Sequence, residues 1–413
     1  MSGDDGIEQG WAGLPGDLLA TVYLRAASPY DRARFAAVCR SWRAAAAWYP
    51  ALPQRLPLLL PATGNGKRDR EARAYSPEDC RALRVPWFPW GKQFVGAHDG
   101  GWIAAATGSL LLIVNVLSGV WVPLSREQRL IACRCPTNFN LMACRPRVSF
   151  TKIVFSEDPR SGGCILAATT TSCNIALCRI GHRYRGWTTH GCGTNAYKNL
   201  KDISFCDGKL YGLACNGDLF KFDIGVDKYG APVFTSPVQL IIERPKDIVY
   251  GFKYRFYTKY IFELHGKLTI AMECSTGTYC CSPTFYRVFE LHDGGTTTTS
   301  SCRYTWLEQT SLGDHALFLG PACCKAVQVP AMDGLQGGVE RNHIYYTIKH
   351  FHHPNDNYYH NDLDCLERLD LGSYAVYRKK NKGVHHGERI MSWGYHYFDQ
   401  DGNNGCIWLL PRL

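Results

Sequence analysis

Short hydrophobic segments separated by turn residues recur through the chain from about residue 76 onward. The clearest pair is residues 208–215 and 219–224, in which apolar and polar side chains alternate on either side of Asn216-Gly217. Asn-Gly between alternating segments is the strongest short-range hairpin signal, because both residues tolerate a positive φ. Similar pairs occur at 102–105 with 110–114, at 165–168 with 175–178, and at 260–264 with 267–272. The sequence therefore predicts a mainly β, antiparallel structure.

The spacing of these hairpins, about 45–60 residues for each unit, is typical of a β-propeller, in which four-stranded sheets close radially and protect their edges. We predict an irregular β-propeller, with six or seven blades suggested by the length alone. A pair of β-sandwiches is the alternative fold. The hairpin signals favour the propeller because they run through the domain without a dividing Pro/Gly linker.

The composition is that of a globular protein, since 46% of the 413 residues are hydrophobic and 20% are charged. The longest apolar stretch, residues 102–117, is interrupted by polar residues and is shorter than the roughly 20 residues of a membrane helix. Residues 1–5 are acidic and lack the apolar region of a secretory signal. We therefore expect no membrane partner, a cytoplasmic or nuclear location, and reduced thiols at the 19 scattered cysteines.

Binding to nucleic acid must be considered because the formal net charge is +10. Nucleic-acid-binding proteins cluster their basic residues on one face. Here the lysines and arginines are spread along the chain, and the aromatic residues alternate within strand patterns as core residues do. The sequence predicts no nucleic-acid partner.

Residues 11–49 differ from the rest of the chain because they are rich in Ala, Leu and Arg and have helical periodicity. Pro15 suits a first helical turn, and Ser28-Pro29 with Asp31 indicates the start of a second helix. The apolar residues at helical spacing are Leu14, Leu18, Leu19 and Val22, then Phe35, Val38, Cys39 and Trp42. About forty residues bury too little apolar surface to fold robustly alone, so the C-terminal domain or a partner protein must cover the remaining apolar face.

Two motifs in this module resemble an F-box. They read Leu14-Pro15-x-Asp17-Leu18-Leu19-x-x-Val22 and Asp31-Arg32-x-Arg34-Phe35-x-x-Val38-Cys39-Arg40-x-Trp42-Arg43. The chain departs from the family at Ala26, near the position where an F-box usually has a leucine. The resemblance implies binding to a Skp1-like adaptor and, through it, to a cullin–RING ubiquitin ligase. By position, it places eight residues at the Skp1-facing surface or in the small core beneath it: Leu14, Pro15, Leu18, Leu19, Val22, Phe35, Val38 and Trp42.

These patterns predict four segments along the chain. We expect a flexible tail at 1–10, the F-box at 11–49, a linker at 50–75 and the propeller at 76–413. The linker contains four prolines and a Gly-Asn-Gly turn followed by alternating charges, which indicates a solvated loop. Within it, residues 56–60 are apolar and are expected to join the large domain as a short strand.

A second resemblance covers most of the large domain. The motifs that carry it are Gly96-Ala97-His98-Asp99-Gly100-Gly101-Trp102, Asn115-Val116-Leu117-Ser118-Gly119, Ser311-Leu312-Gly313-Asp314-His315-Ala316-Leu317-Phe318-Leu319-Gly320, Asn342-His343-Ile344-Tyr345-Tyr346 and Ile407-Trp408-Leu409-Leu410-Pro411. They resemble the plant F-box proteins with a C-terminal KIB-type β-propeller. The resemblance implies a substrate receptor in which the F-box binds the ligase and the propeller binds the target.

No catalytic or cofactor-binding motif is found in the sequence, so we expect neither an enzyme nor a bound cofactor. Cys133, Cys135 and Cys144 could begin a zinc site, but no second ligand pair follows at finger spacing. Histidines at 350, 352, 353 and 360 lie among Asp, Asn and Pro residues, which favours a polar surface loop over a metal site. We predict no metal.

The function predicted from these observations is that of a non-catalytic substrate receptor of a Skp1–cullin–F-box ubiquitin ligase, with an unidentified target. The alternative is a propeller enzyme or a lectin-like binding protein whose N-terminal helices form only a cap. A further option is an F-box protein that sequesters Skp1 or a partner without promoting degradation.

Overall fold

The computed structural model describes most of the chain and leaves several segments undescribed. The described residues are 11–25, 35–36, 38–47, 56–61, 72–77, 80–131, 148–171, 174–182, 186–190, 200–234, 237–243, 255–275, 284–294, 303–329, 339–349, 367–370, 375–381, 390–397 and 406–409. The chain divides into two compact units, Met1–Arg55 with Arg412–Leu413, and Leu56–Pro411.

The smaller unit is helical where it is described. A 3₁₀ turn at Trp11–Gly13 precedes α1, Gly16–Arg25, and α2 spans Arg40–Ala47. Pro15 stands immediately before α1, and its carbonyl accepts a hydrogen bond from the Leu19 amide at 3.0 Å. The second helix start predicted at Ser28-Pro29 and Asp31 lies outside the described residues.

Where it is described, the larger unit consists mainly of strands, with one short helix, α3, at Arg126–Arg129. The strands are β1 Leu58–Pro61, β2 Ala72–Ser76, β3 Arg81–Val85, β4 Gln93–His98, β5 Trp102–Thr107, β6 Leu110–Asn115, β7 Phe150–Phe155, β8 Ile165–Thr170, β9 Ile175–Arg179, β10 Thr188–His190, β11 Leu200–Cys206, β12 Lys209–Ala214, β13 Leu219–Phe222, β14 Ile224–Val226, β15 Pro232–Phe234, β16 Val238–Leu240, β17 Ile242–Glu243, β18 Arg255–Leu264, β19 Lys267–Ser275, β20 Thr284–Asp293, β21 Tyr304–Gln309, β22 His315–Leu319, β23 Cys324–Gln328, β24 His343–Lys349, β25 Glu367–Asp370, β26 Ala375–Asn381, β27 Met391–Tyr397 and β28 Cys406–Leu409. The unit boundary after Arg55 places β1 and β2, which lie largely within the segment predicted as a linker, in the larger unit.

Within the described residues the strands form six sheets and a separate hairpin, β14-β15. In spatial order they are sheet 1 (β28-β1-β2-β3), sheet 2 (β4-β5-β6), sheet 3 (β10-β9-β8-β7), sheet 4 (β11-β12-β13-β16), sheet 5 (β17-β21-β20-β19-β18) and sheet 6 (β23-β22-β24-β27-β26-β25). Most pairings are antiparallel between consecutive strands, as in the blades of a propeller.

The structure is a five-bladed β-propeller, since five of these sheets have the four or more strands of a complete blade. The prediction of six or seven blades is wrong. The physical reason lies in sheet 6, where β22 pairs in parallel with β24, and β24 pairs in parallel with β27. These two pairings place six strands in one blade. Regular hairpin spacing would divide the same strands between two blades.

Sheet 1 joins the two ends of the larger unit. Its strand β28 pairs antiparallel with β1 at four positions, from Leu58↔Leu409 to Pro61↔Cys406. Both strands are buried at every residue. Trp408 is the largest fully buried side chain, and its indole Nε1 donates a hydrogen bond to the Leu319 carbonyl at 3.1 Å.

The predicted hairpins are confirmed in register, including β5-β6, β8-β9 and β18-β19. The Asn216-Gly217 turn differs in type from the expectation. Only Gly217 has a positive φ, of 84°, and its amide donates to the Ala214 carbonyl at 2.9 Å. The loop is therefore a longer turn closed by glycine rather than a two-residue turn with two positive φ angles.

None of the helices in the described part of the chain is long and apolar enough to span a membrane.

Candidate functional site

The smaller unit has a core of its own, built around Leu19, Tyr23 and Phe35. The rings of Tyr23 and Phe35 meet edge to face at 5.3 Å, and Phe35 lies 4.5 Å from the ring of Trp42. Leu14 packs partly buried against this cluster. The Trp42 indole donates a hydrogen bond to the Trp11 carbonyl at 2.9 Å, which ties α2 to the 3₁₀ turn before α1.

The eight residues that the F-box resemblance singled out divide into two groups. Leu14, Leu19, Phe35 and Trp42 belong to the small core. The other four are exposed, and we call them the apolar face: Pro15, Leu18, Val22 and Val38. Leu18 and Val22 lie four residues apart on α1, so they share one side of that helix.

Exposure of the apolar face to water is energetically unfavourable. Leu18 is 48% exposed, Val22 42% and Val38 55%. Full burial of a side chain of this size stabilises by roughly 1.5–3 kcal/mol. The small core is formed without these residues, so they remain available for binding.

In the larger unit, a charged pair is buried where three sheets meet. Lys152 on β7 forms a salt bridge with Asp202 on β11, and both side chains are almost completely buried. Asp202 Oδ1 also accepts a hydrogen bond from the Ile203 amide at 2.9 Å. Asp202 Oδ2 accepts one from the Ile261 amide on β18 at 2.8 Å. A single carboxylate therefore links the end strands of sheets 3, 4 and 5.

The surroundings determine the protonation of this pair. Burial opposes the charge on Lys152, but the charge and hydrogen bond of Asp202 act together with the neighbouring cysteines to raise the pKa of Lys152. Burial also raises the pKa of Asp202, while Lys152 and the two backbone amides oppose that rise. Burial raises the pKa of the neighbouring thiols Cys323 and Cys324 to about 11 and about 12. These thiols remain protonated at neutral pH and are not nucleophiles.

A second charged pair lies between β23 and the turn after β4. Lys325 Nζ is 2.8 Å from Asp99 Oδ1. Next to it, His98 Nδ1 donates a hydrogen bond to the Asp99 carbonyl at 3.2 Å, and its ring meets Phe155 edge to face. Burial lowers the pKa of His98, and the positive charge of Lys325 lowers it further. The pair joins sheet 6 to sheet 2.

The sequence interpretation missed both pairs, although a signal was present. Lys152 stands in the largely apolar strand Phe150–Phe155, and Asp202 occupies the third position of β11. A charged residue inside a strand with a buried pattern requires an opposite charge. The sequence alone does not show which strands lie side by side, so it does not identify the partners.

The metal candidates considered in the sequence lie outside the described residues. These are the cysteines at 133, 135 and 144 and the histidines at 350, 352, 353 and 360.

The motifs that carried the second resemblance build turns. Asn115 Oδ1 accepts hydrogen bonds from the amides of Leu117 and Ser118 at 3.1 and 3.0 Å, and its Nδ2 donates to the Gly100 carbonyl at 2.7 Å. Asn342 Oδ1 accepts from the Leu312 amide at 2.7 Å, which connects the turn before β24 to the turn before β22. The motif residues thus fix the connections between strands.

A comparison with protein families decides the identity of the larger unit. The model of the KIB1-4 beta-propeller matches residues 74–384, which is more than half of the chain. The chain belongs to the KIB1-4 β-propeller family. The KIB-type resemblance of the motifs is thereby confirmed for the propeller. A search of curated proteins finds no match.

Solved structures resemble this KIB1-4 propeller only weakly. The crystal structure of the N-terminal domain of Nup159 aligns with a TM-score of 0.31 and 8% identity, over 63% of this chain and 64% of that one. The S. cerevisiae Dbp5–Nup159–Gle1 structure aligns with a TM-score of 0.32 and 10% identity, over 63% of this chain and 62% of that one. The Dos1 propeller aligns with a TM-score of 0.29 and 12% identity, over 56% of this chain and 53% of that one. The alignments with the first two span less than two thirds of those chains.

Proposed function

We propose that this KIB1-4 propeller protein is the substrate-recognition subunit of a Skp1–cullin–F-box ubiquitin ligase. The helical unit binds a Skp1-like adaptor, and the propeller binds a target protein. The observation that carries the proposal is the division of the F-box-like residues into a small core and an exposed apolar face of Pro15, Leu18, Val22 and Val38. An adaptor that covers this face recovers the free energy lost by leaving it in water.

The proposed role requires no chemistry from the chain itself. A receptor holds its target close to the conjugating enzyme, so that ubiquitin transfer becomes effectively intramolecular. A propeller suits this task because its sheets are joined by buried pairs such as Lys152–Asp202, while its connecting loops stay at the surface. The protein would act in the cytoplasm or the nucleus, where the ligase components and reduced cysteines occur.

The adaptor contact is tested by changing only exposed residues. The variant Leu18→Asp with Val38→Asp places two charges on the apolar face and leaves Leu19, Phe35 and Trp42 in the core. We expect its affinity for a purified Skp1-like adaptor to fall by about tenfold or more, since each buried charge would lack a partner. The dissociation constant is measured by isothermal titration calorimetry.

The matched control is Val226→Asp with Val238→Asp, which places the same two charges on propeller valines that are 58% and 49% exposed. It should bind the adaptor as the unmodified protein does. Equal affinities for all three proteins, each with an unchanged circular dichroism spectrum, would exclude the apolar face as the adaptor site.

A further inference from the structure

Three side chains of types that can bind a metal lie close together between sheets 5 and 6. They are not part of the features discussed above. His265 lies in the turn between β18 and β19, and Asp314 and His315 lie at the start of β22. His265 Nε2 is 3.1 Å from His315 Nδ1. His315 Nδ1 is 2.7 Å from Asp314 Oδ1. One ligand atom from each of the three residues lies within 4.8 Å of the other two.

The backbone holds these side chains in fixed places. The Asp314 carbonyl accepts a hydrogen bond from the Val329 amide at 2.8 Å, and the His315 carbonyl accepts one from Asn342 at 2.8 Å. The strand that follows them is fully buried from Ala316 to Leu319. On the opposite side, His265 and Gly266 have φ angles of 53° and 74° and form a tight two-residue hairpin turn.

The three ligand atoms are not satisfied equally by hydrogen bonds alone. His315 Nδ1 carries at most one hydrogen, yet it faces both Asp314 Oδ1 and His265 Nε2. A hydrogen on His315 Nδ1 can serve only one of these two neighbours well, and the tautomer of His265 decides whether its Nε2 donates or accepts. Gln328 Nε2 donates to Asp314 Oδ2 at 2.5 Å, which leaves Oδ1 directed toward the histidines. A divalent cation between these atoms would accept a lone pair from each of them.

We propose that His265, Asp314 and His315 form a Zn²⁺ site with three protein ligands. Two imidazole nitrogens and one carboxylate oxygen are a usual ligand set for this ion, and they leave a fourth position for water. Zn–N distances of about 2.0–2.1 Å place two nitrogen ligands roughly 3.3 Å apart. The observed 3.1 Å separation of the histidine nitrogens is close to this value, whereas the 2.7 Å between His315 Nδ1 and Asp314 Oδ1 is shorter and has to widen when the ion binds. The exposed position of His265 gives the ion access from solvent.

The site is tested with Zn²⁺ alone on the full chain, after its exposed thiols have been alkylated. We compare the unmodified protein with His265→Asn and with Asp314→Asn by titration calorimetry. Asparagine tolerates the positive φ of residue 265, so the hairpin turn is kept. We expect the unmodified protein to bind one Zn²⁺ more than either variant, or to bind it at least about tenfold more tightly.

The matched control is His292→Asn, which removes a partly exposed histidine that lies 3.4 Å from Glu290. It should bind Zn²⁺ as the unmodified protein does. X-ray absorption of the bound ion should show nitrogen and oxygen ligands without sulfur. Equal binding by the unmodified protein and either site variant, no binding at all, or a sulfur-ligated ion would overturn the proposal.

Discussion

At the residue scale, the single side chain of Asp202 connects three sheets of the propeller. Its two carboxylate oxygens form a salt bridge with Lys152 and accept hydrogen bonds from the amides of Ile203 and Ile261. These three residues belong to three neighbouring sheets. A buried ion pair stabilises little compared with an apolar pair, but the loss of one partner leaves an uncompensated charge. The interaction therefore fixes which strands are neighbours.

We predict that Asp202→Asn destabilises the protein by about 3–5 kcal/mol, because Lys152 remains buried without a counter-charge. Adding Lys152→Met removes that charge, so the double variant should be more stable than the single one. Urea unfolding followed by tryptophan fluorescence measures both. Asp207→Asn, at an 80% exposed carboxylate, serves as the control and should change the stability by less than about 1 kcal/mol. A double variant no more stable than Asp202→Asn would contradict this account.

Sequence reasoning at this scale identified the apolar residues of the helical unit but not which of them are buried and which are exposed. Leu18 and Leu19 are adjacent and chemically identical, yet Leu19 is 2% exposed and Leu18 48% exposed. Helical periodicity defines a stripe of residues, while the placement of Phe35 and Trp42 decides which edge of that stripe is buried. That decision depends on tertiary packing, which the pattern does not contain.

At the element scale, the hairpins were the most predictable part of the fold. Asp207-Gly208 and His265-Gly266, each followed by Lys-Leu, both adopt positive φ angles, and both connect the end strand of a sheet to its neighbour. The hydrophobic alternation fixes the strands and the turn residues fix their pairing. Hydrophobic alternation and turn residues do not show how closely one sheet packs against another.

One such approach occurs at Gly96 on β4. A Cβ atom at this position would lie 2.2 Å from the Ile153 carbonyl oxygen of β7, so sheets 2 and 3 would have to separate. We predict that Gly96→Ala lowers the free energy of unfolding by about 1–3 kcal/mol, as overpacking generally does. The urea midpoint provides the measurement.

Gly225→Ala on β14 is the control, because its Cβ would be 3.9 Å from the Val233 side chain, an ordinary contact. It should change the stability by no more than about 0.5 kcal/mol. A similar effect of the two substitutions would show that the Gly96 contact does not determine how closely the sheets pack.

At the scale of the whole molecule, the β class and the propeller were predictable, and the number of blades was not. The length alone suggested six or seven blades, whereas the parallel pairings of β22, β24 and β27 collect six strands in one blade. Parallel pairing joins strands that are distant in sequence and leaves no turn signal. The pairing of β1 with β28 is equally invisible to local patterns.

The β1-β28 pairing should control the cooperativity of the propeller. We predict that a chain ending at residue 405, which lacks β28, melts at a lower temperature and less cooperatively than the full chain, because Trp408 and the other three partners of β1 are removed together. Circular dichroism and fluorescence melts would report this change. A chain ending at residue 409 keeps β28 and should melt as the full protein does. Identical sharp melts for both truncations would contradict this role of β28.

The same pairing has a consequence for biosynthesis. Cys406–Leu409 is made about 350 residues after its partner Leu58–Pro61, which takes roughly 20–70 seconds at ordinary rates of translation. Throughout that interval the nascent chain carries an unpaired, strongly apolar strand edge, which is the kind of surface that chaperones recognise. The β1 edge is therefore open to aggregation until β28 has been synthesised.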